Sequence, residues 1–139
     1  MVESVSTVPC VMDPEIRDRC RVSPRSRNTV HFVYREHGHE AAFLALDVIE
    51  GADYLVLYEI YVPLRMRGNG IGGRALAALA AFAAAKGCSW IYAFAHPIDG
   101  TRTEQDLERW YVQNGFCPRD NGTGELELSV DTSSTGSPR

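Results

Sequence analysis

Tyr61-Val62-Pro63-Leu64-Arg65-Met66-Arg67-Gly68-Asn69-Gly70-Ile71-Gly72-Gly73-Arg74 is the stretch on which the reading of this 139-residue chain turns. On its N-terminal side, residues 54–62 are nearly all apolar or aromatic and read as a strand buried on both faces. On its C-terminal side, residues 71–86 read as a helix, with Ala at eight of the eleven positions from 75 to 85. Leu76, Leu79, Phe82 and Ala83 share one helical face, and Gly87 sits where a helix stops. The glycines therefore lie at a strand-to-helix junction. There they let the backbone approach an anion closely, and the amides of the first helical turn point at it. No acidic residue stands between Glu59 and Asp99, whereas Arg65, Arg67, Arg74 and Lys86 are basic. In a chain of net charge -4 this cationic island reads as the footprint of a bound polyphosphate.

Upstream, residues 30–34 and 41–49 read as strands, parted by a turn through Gly38 and closed by a turn through Gly51. With residues 54–62 they form an antiparallel meander. Downstream, residues 89–95 read as a strand joined to the third through the helix, which makes those two strands parallel. A loop over residues 96–102 follows. Thr103 caps a second helix running to Asn114, with Glu104 and Asp106 in its first turn and Gly115 as its stop. Residues 125–130 alternate as a last strand. The segment 1–27, with Pro9, Pro14 and Pro24, reads as irregular, with room for one short helix starting at Asp13-Pro14. Residues 131–139 read as a disordered tail. The expectation is a single domain of mixed α+β class over residues 28–130, flanked by these two segments.

Composition narrows the function. Hydrophobic residues make up 45% and charged residues 23%, which excludes a disordered, collagen-like or coiled-coil chain. No run approaches the ~18 apolar residues of a membrane span, and the first residues lack the basic and apolar regions of a signal peptide. A cytoplasmic protein with no membrane partner is expected. The net charge of -4 argues against nucleic acid and mildly favours a cationic substrate. Cys10, Cys20, Cys88 and Cys117 have no zinc spacing and read as free thiols, a Cys10–Cys20 disulfide being the minor alternative. His31, His37 and His39 lack Cys or Asp support, so no metal is expected.

Three kinds of phosphate loop compete for the glycine-rich stretch. Gly68, Gly70 and Gly73 satisfy the dinucleotide pattern G-x-G-x-x-G, but the preceding meander is not a parallel sheet and no acid lies about twenty residues on to bind a ribose. A Walker A loop is excluded because no Gly-Lys-Ser/Thr exists. The third reading is a resemblance. Arg67-Gly68-Asn69-Gly70-Ile71-Gly72 resembles the Q/R-x-x-G-x-G/A acetyl-CoA loop of the GCN5-related N-acetyltransferases. Trp110-Tyr111-Val112-Gln113-Asn114-Gly115-Phe116 is similar to that family's aromatic-Tyr-x-x-x-Gly-Phe helix ending. The likeness spans about residues 28 to 130.

The resemblance implies a mostly antiparallel mixed sheet flanked by helices, its central strands splayed into a cofactor slot. The backbone of Ile60, Tyr61 and Val62 would pair with the pantetheine arm. Arg67, Gly68, Asn69, Gly70, Ile71, Gly72 and Gly73 would wrap the pyrophosphate of acetyl-CoA. Two departures stand out: the N-terminal region is short for the family's first strand and two helices, and Glu104 replaces an Asn often found seven positions before the helix Tyr.

Acetyl transfer to an amine needs a neutral nucleophile, a stabilised oxyanion and a leaving thiolate. The resemblance makes Tyr111 the acid that assists the thiolate, although Leu107, Trp110 and Tyr111 at i, i+3 and i+4 also read as an ordinary core stripe. Glu59, the lone acid of its strand, is the candidate base, with an ion pair as the alternative reading; His96 is the second candidate. The acceptor would be a primary amine on a small molecule or a protein. A non-catalytic CoA-binding module of the same fold is the rival reading, because the short N-terminus leaves little for an acceptor pocket. A homodimer sharing its site would reconcile the two.

Overall fold

Eight consecutive residues from Glu40 to Asp47 are buried, which marks the strand at the heart of the sheet. The computed structural model describes residues 2–4, 11–23, 28–97, 102–119 and 124–130. Its elements, in chain order, are β1 (Val2–Ser4), α1 (Pro14–Val22), β2 (Thr29–Glu36), β3 (His39–Val48), β4 (Tyr54–Tyr61), α2 (Ile71–Ala85), β5 (Trp90–Phe94), α3 (Glu104–Gln113), β6 (Cys117–Pro118) and β7 (Glu125–Ser129). The seven strands lie in the order β1-β2-β3-β4-β5-β7-β6. All neighbours are antiparallel except β4 and β5, the pair joined through α2. The meander, the parallel crossover and the mixed α+β class are as expected.

The helices form for local reasons. Asp13 caps α1 by accepting from the Ile16 amide at 3.1 Å, with Pro14 at the first helical position. Thr103 caps α3 by accepting from the Asp106 amide at 3.1 Å. α2 is held by packing: Ala75, Leu76, Leu79 and Ala83 are buried against one face of the sheet. That face also buries Leu44, Leu46, Leu55, Leu57, Ile91, Ala93 and Leu126, and Tyr111 and Phe116 belong to the same cluster. The opposite face carries a smaller cluster, in which Ile16 of α1 packs on Val33, Phe43 and Ala45.

Three local expectations change. It is β3, not β4, that is buried on both faces; β4 alternates, and Tyr58 is 45% exposed. β3 lies between α1 and α2, whereas α1 meets β4 only toward its C-terminal end, at Glu59 and Tyr61. The segment read as irregular supplies β1, paired with Val33 and its neighbours. The stretch after Phe116 likewise supplies β6, paired with Leu126 and Glu127. Cys20, Cys88 and Cys117 are free thiols; Cys10 and residues 131–139 lie outside the described residues.

Candidate active site

The site begins where two strands part. β4 and β5 pair from Tyr54↔Trp90 to Leu57↔Ala93 and no further, although β4 runs on to Tyr61. At the same point the β3–β4 register slips: Leu46 faces Leu57, but Ala45 faces Glu59. Tyr58 is the extra residue of this bulge, and the bulge reverses the alternation. Leu57 points to the α2 face; Glu59, which unbroken alternation would place beside it, points to the α1 face. The parting opens a groove of about 320 Å³ lined by Tyr58, Glu59, Ile60 and Val62 on the β4 side.

The glycine-rich loop forms the next wall. After Pro63, residues Leu64–Met66 make a single 3-10 turn, closed by the Met66 amide donating to Pro63 O at 2.9 Å. Arg67 Nε donates to Val62 O at 2.7 Å and its guanidinium lies 5.2 Å from the centre of the Tyr61 ring. Gly68 and Gly70 adopt φ of +85° and +77°, the left-handed conformation that glycine tolerates best, and Gly70 delivers the chain into α2. Gly72 and Gly73 serve a different purpose. A Cβ at Gly72 would stand 2.8 Å from Trp110 Cζ2, and one at Gly73 would stand 3.0 Å from Asn114 Oδ1. Their bare backbone lets α3 close against the start of α2.

The cationic island does not survive folding. Arg65 pairs with Asp13 and with Glu15, the latter at 2.5 Å, and Arg74 pairs with Glu36 at 2.5 and 3.0 Å. Lys86 sits at the far end of α2, over the Phe82 ring. Of the four bases only Arg67 lines the groove, and Arg102 joins it from the other side, over the Trp110 ring. Attraction for an anion therefore rests on the amides of the loop and of the first turn of α2, with Arg67 and Arg102 beside them.

α3 closes the groove with Leu107, Trp110 and Tyr111. Tyr111 is 2% exposed, held edge-on between Trp110 and Phe116 with ring centres 5.1 Å apart on each side. Burial, and after it the negative charge of Glu59, push its hydroxyl well above the ordinary tyrosine value. Tyr111 therefore stays protonated at neutral pH. Glu59 is 7% exposed. Arg19 grips it with two hydrogen bonds, the Nη2–Oε1 contact being 3.1 Å, and Ser23 Oγ donates to Oε1 at 3.0 Å. His96 is exposed on the rim and stacks on Phe94 at 5.7 Å.

Of the sequence-predicted residues, Glu59, Ile60, Val62, Arg67, Gly68, Gly70, Ile71, Gly72, Gly73, Tyr111 and His96 line one groove. The Tyr61 side chain does not: strand alternation turns it toward α1, where its hydroxyl donates to Glu15 at 3.3 Å. Asn69 also stays outside, its amide donating to Met66 O at 3.1 Å, and Glu104 is exposed in the first turn of α3. Sequence reasoning missed Tyr58, Met66 and Arg102 as lining residues, and Arg19 and Ser23 as partners of Glu59. Only Arg102 had a sequence signal, an arginine just before a capped helix. His31 is buried with Nδ1 3.3 Å from Cys20 Sγ, whereas His37 and His39 are exposed at the β2–β3 turn. Among the described residues no group of three or more His, Cys, Asp or Glu could hold a metal ion, and no helix is long and apolar enough to cross a membrane.

A splayed β4–β5 pair with a glycine loop feeding α2 defines a class. Residues 6–116 match the family model for the acetyltransferase (GNAT) family, and the chain belongs to that family. No curated protein matches the sequence. Solved structures share its fold at low identity. The ribosomal-protein-S18-alanine N-acetyltransferase of Escherichia coli superposes with a TM-score of 0.60 at 15% identity, over 94% of this chain and 93% of that one. The paiA N-acetyltransferase of Thermoplasma acidophilum, in complex with coenzyme A, gives 0.56 at 16%, over 83% and 67%. Tetrahymena GCN5 gives 0.62 at 8%, over 77% and 71%.

Proposed function

We propose that this chain transfers the acetyl group of acetyl-CoA to a primary amine by direct attack on the thioester. The observation that carries the reading is the placement of Tyr111 and Glu59 along one groove, at the parting of β4 from β5 and beside the glycine loop. The residues present suit the donor. The β4 edge past Leu57 has no β5 partner and offers Ile60, Tyr61 and Val62 backbone to an extended arm. The left-handed Gly68 and Gly70 and the α2 amides suit a pyrophosphate, with Asn69 contributing backbone rather than its side chain.

The amine arrives as an ammonium with a pKa near ~10.4 and must shed a proton before it can attack. Glu59 takes that proton and passes it to water. The amide of Val62 donates to the carbonyl oxygen as negative charge builds there. As the N–C bond forms and the C–S bond breaks, Tyr111 gives its proton to the departing sulfur and is restored by the second proton leaving the nitrogen. The products are the amide, the free thiol and one proton.

A second reading, a CoA-binding module without turnover, is favoured by one observation: Arg19 and Ser23 already occupy both oxygens of Glu59. Release of free thiol from acetyl-CoA across a panel of amines separates the two. Amine-dependent release supports the transferase; binding of acetyl-CoA with no release for any amine supports the module.

A further inference from the structure

The groove has two approaches. α2 and α3 stand on one face of the sheet; on the other, α1 covers β2 and β3 and brings Arg19 and Ser23 to Glu59. Beyond α1, that second face of β4, β5 and β7 carries the side chains that alternate with the core residues Leu55, Leu57, Ile91 and Ala93. They are Tyr54, Val56, Trp90, Tyr92 and Phe94, all half-buried, and none of them belongs to the cluster that α1 forms on this face. Tyr54 and Trp90 both pack on Tyr92, at 5.3 and 6.5 Å, and the stripe runs through Phe94 and His96 into the groove.

This face already holds one cation, Arg119, paired with Glu125 at 2.5 Å and Glu127 at 3.9 Å. Aromatic faces attract cations, and Arg119 already lies 4.5 Å over the Tyr92 ring. Burial raises the Tyr92 hydroxyl, and the carboxylates of Glu127, Asp53 and Glu125 add to the rise against the opposing charge of Arg119. At its upper end stands Glu59, the one carboxylate lining the groove among the described residues. The bulge at Tyr58 is what turns that carboxylate toward this approach.

Resting on the acetyltransferase reading, the geometry points to Arg19 as an internal stand-in for the acceptor: the acceptor is a cationic amine that enters along the Tyr92 stripe and displaces the Arg19 guanidinium from Glu59. The Arg19 side chain is 23% exposed, so its guanidinium has solvent to swing into, whereas Glu59 stays in place in the strand. The exchange answers the rival reading. Glu59 is closed while Arg19 holds it, and it becomes a proton acceptor only when an ammonium replaces the guanidinium. A neutral amine gains nothing from displacing a cation, so the latch selects charge.

The test is titration calorimetry on the full chain saturated with CoA, with 1,5-diaminopentane as cationic probe and aniline as neutral probe. A latch closed nine-tenths of the time weakens apparent affinity about tenfold, so Arg19→Ala should bind the diamine about tenfold more tightly than the unaltered chain. Aniline should not change. Arg19→Lys, which keeps a countercharge for the buried Glu59 and guards against misfolding, should give a smaller gain. Glu59→Gln should bind both probes alike. Diamine binding to Arg19→Ala and Arg19→Lys that is no tighter than to the unaltered chain overturns the latch, and weakening of both probes assigns Arg19 a purely structural role. If CoA itself fails to bind the unaltered chain, the acetyltransferase reading falls and the latch with it. If CoA binds and the tightening is absent, the latch falls alone.

Discussion

Gly72→Ala is a small change with a large expected effect. Gly72 has no positive φ, so the substitution meets no backbone strain, and inside a helix it gains about 0.5–1 kcal/mol from reduced chain entropy. Space decides the sign. The new methyl would stand 2.8 Å from Trp110 Cζ2 and 3.5 Å from its Cη2, atoms of a rigid indole rather than the tip of a flexible chain. Carbon atoms rest at about 3.5–4.0 Å, so the helices must part or the ring must move by roughly 0.7 Å or more. Overpacking of this kind costs about 1–3 kcal/mol, which leaves a net loss of about 0–2.5 kcal/mol, centred near 1 kcal/mol. Because Trp110 lines the groove next to Tyr111, acetyl-CoA affinity should fall with stability. Urea unfolding, followed by calorimetric titration of acetyl-CoA, reads both. The double variant Gly72→Ala, Trp110→Leu, which removes the indole, should recover most of the lost stability. If Gly72→Ala equals or exceeds the unaltered chain in stability and binds acetyl-CoA as well, the close approach of α2 and α3 is not what this glycine serves.

Three further outcomes concern the site and its surroundings. Tyr111→Phe keeps the ring between Trp110 and Phe116, so acetyl-CoA binding should hold while kcat falls by about 10²-fold or more, measured as thiol release under saturating donor. Since the Tyr111 hydroxyl is pushed upward by burial and by Glu59, no alkaline loss of activity assignable to it should occur below its ordinary value near ~10. Glu36 is held down to about 2 from an ordinary 4.5, first by the hydrogen bonds from Arg74 and then by that from Tyr34. A carboxylate lowered on folding stabilises above its unfolded value, and that stabilisation disappears as pH falls from about 4.5 to about 2. Melting temperature should drop across this window, and Glu36→Gln should drop less, because its contribution is already absent.

The parts of the fold that could be read in advance are those set by local chemistry. The β-branched and aromatic run of β2, the alanine-rich stripe of α2, the Thr103 cap and the Gly87 stop each announce themselves within a few residues. What escaped depends on partners far away in sequence. β1 and β6 are three and two residues long and exist only because β2 and β7 offer an edge. The cationic island is real in sequence but is neutralised by Asp13, Glu15 and Glu36, all at least 38 positions from the arginines they meet. The bulge at Tyr58 has no composition of its own, yet it decides which face Glu59 takes and hence that Arg19 and Ser23 reach it. Of the four glycines in the loop, sequence could not say that Gly68 and Gly70 serve backbone conformation while Gly72 and Gly73 serve packing.

The central claim is that the loop from Arg67 to Gly73 holds acetyl-CoA. Chemical unfolding of the chain with and without acetyl-CoA, NAD and ATP, beside the double variant Arg67→Ala, Gly70→Ala, tests it most directly. Arg67 ties the loop to Val62 O, and an Ala at position 70 would need a φ of +77° and would crowd Arg74 Nη1 at 2.9 Å. At a hundred times its dissociation constant, acetyl-CoA alone should add about 2.7 kcal/mol of stability, and the double variant should lose that gain. Stabilisation by NAD or ATP with none from acetyl-CoA, or a gain that survives in the double variant, would contradict the account.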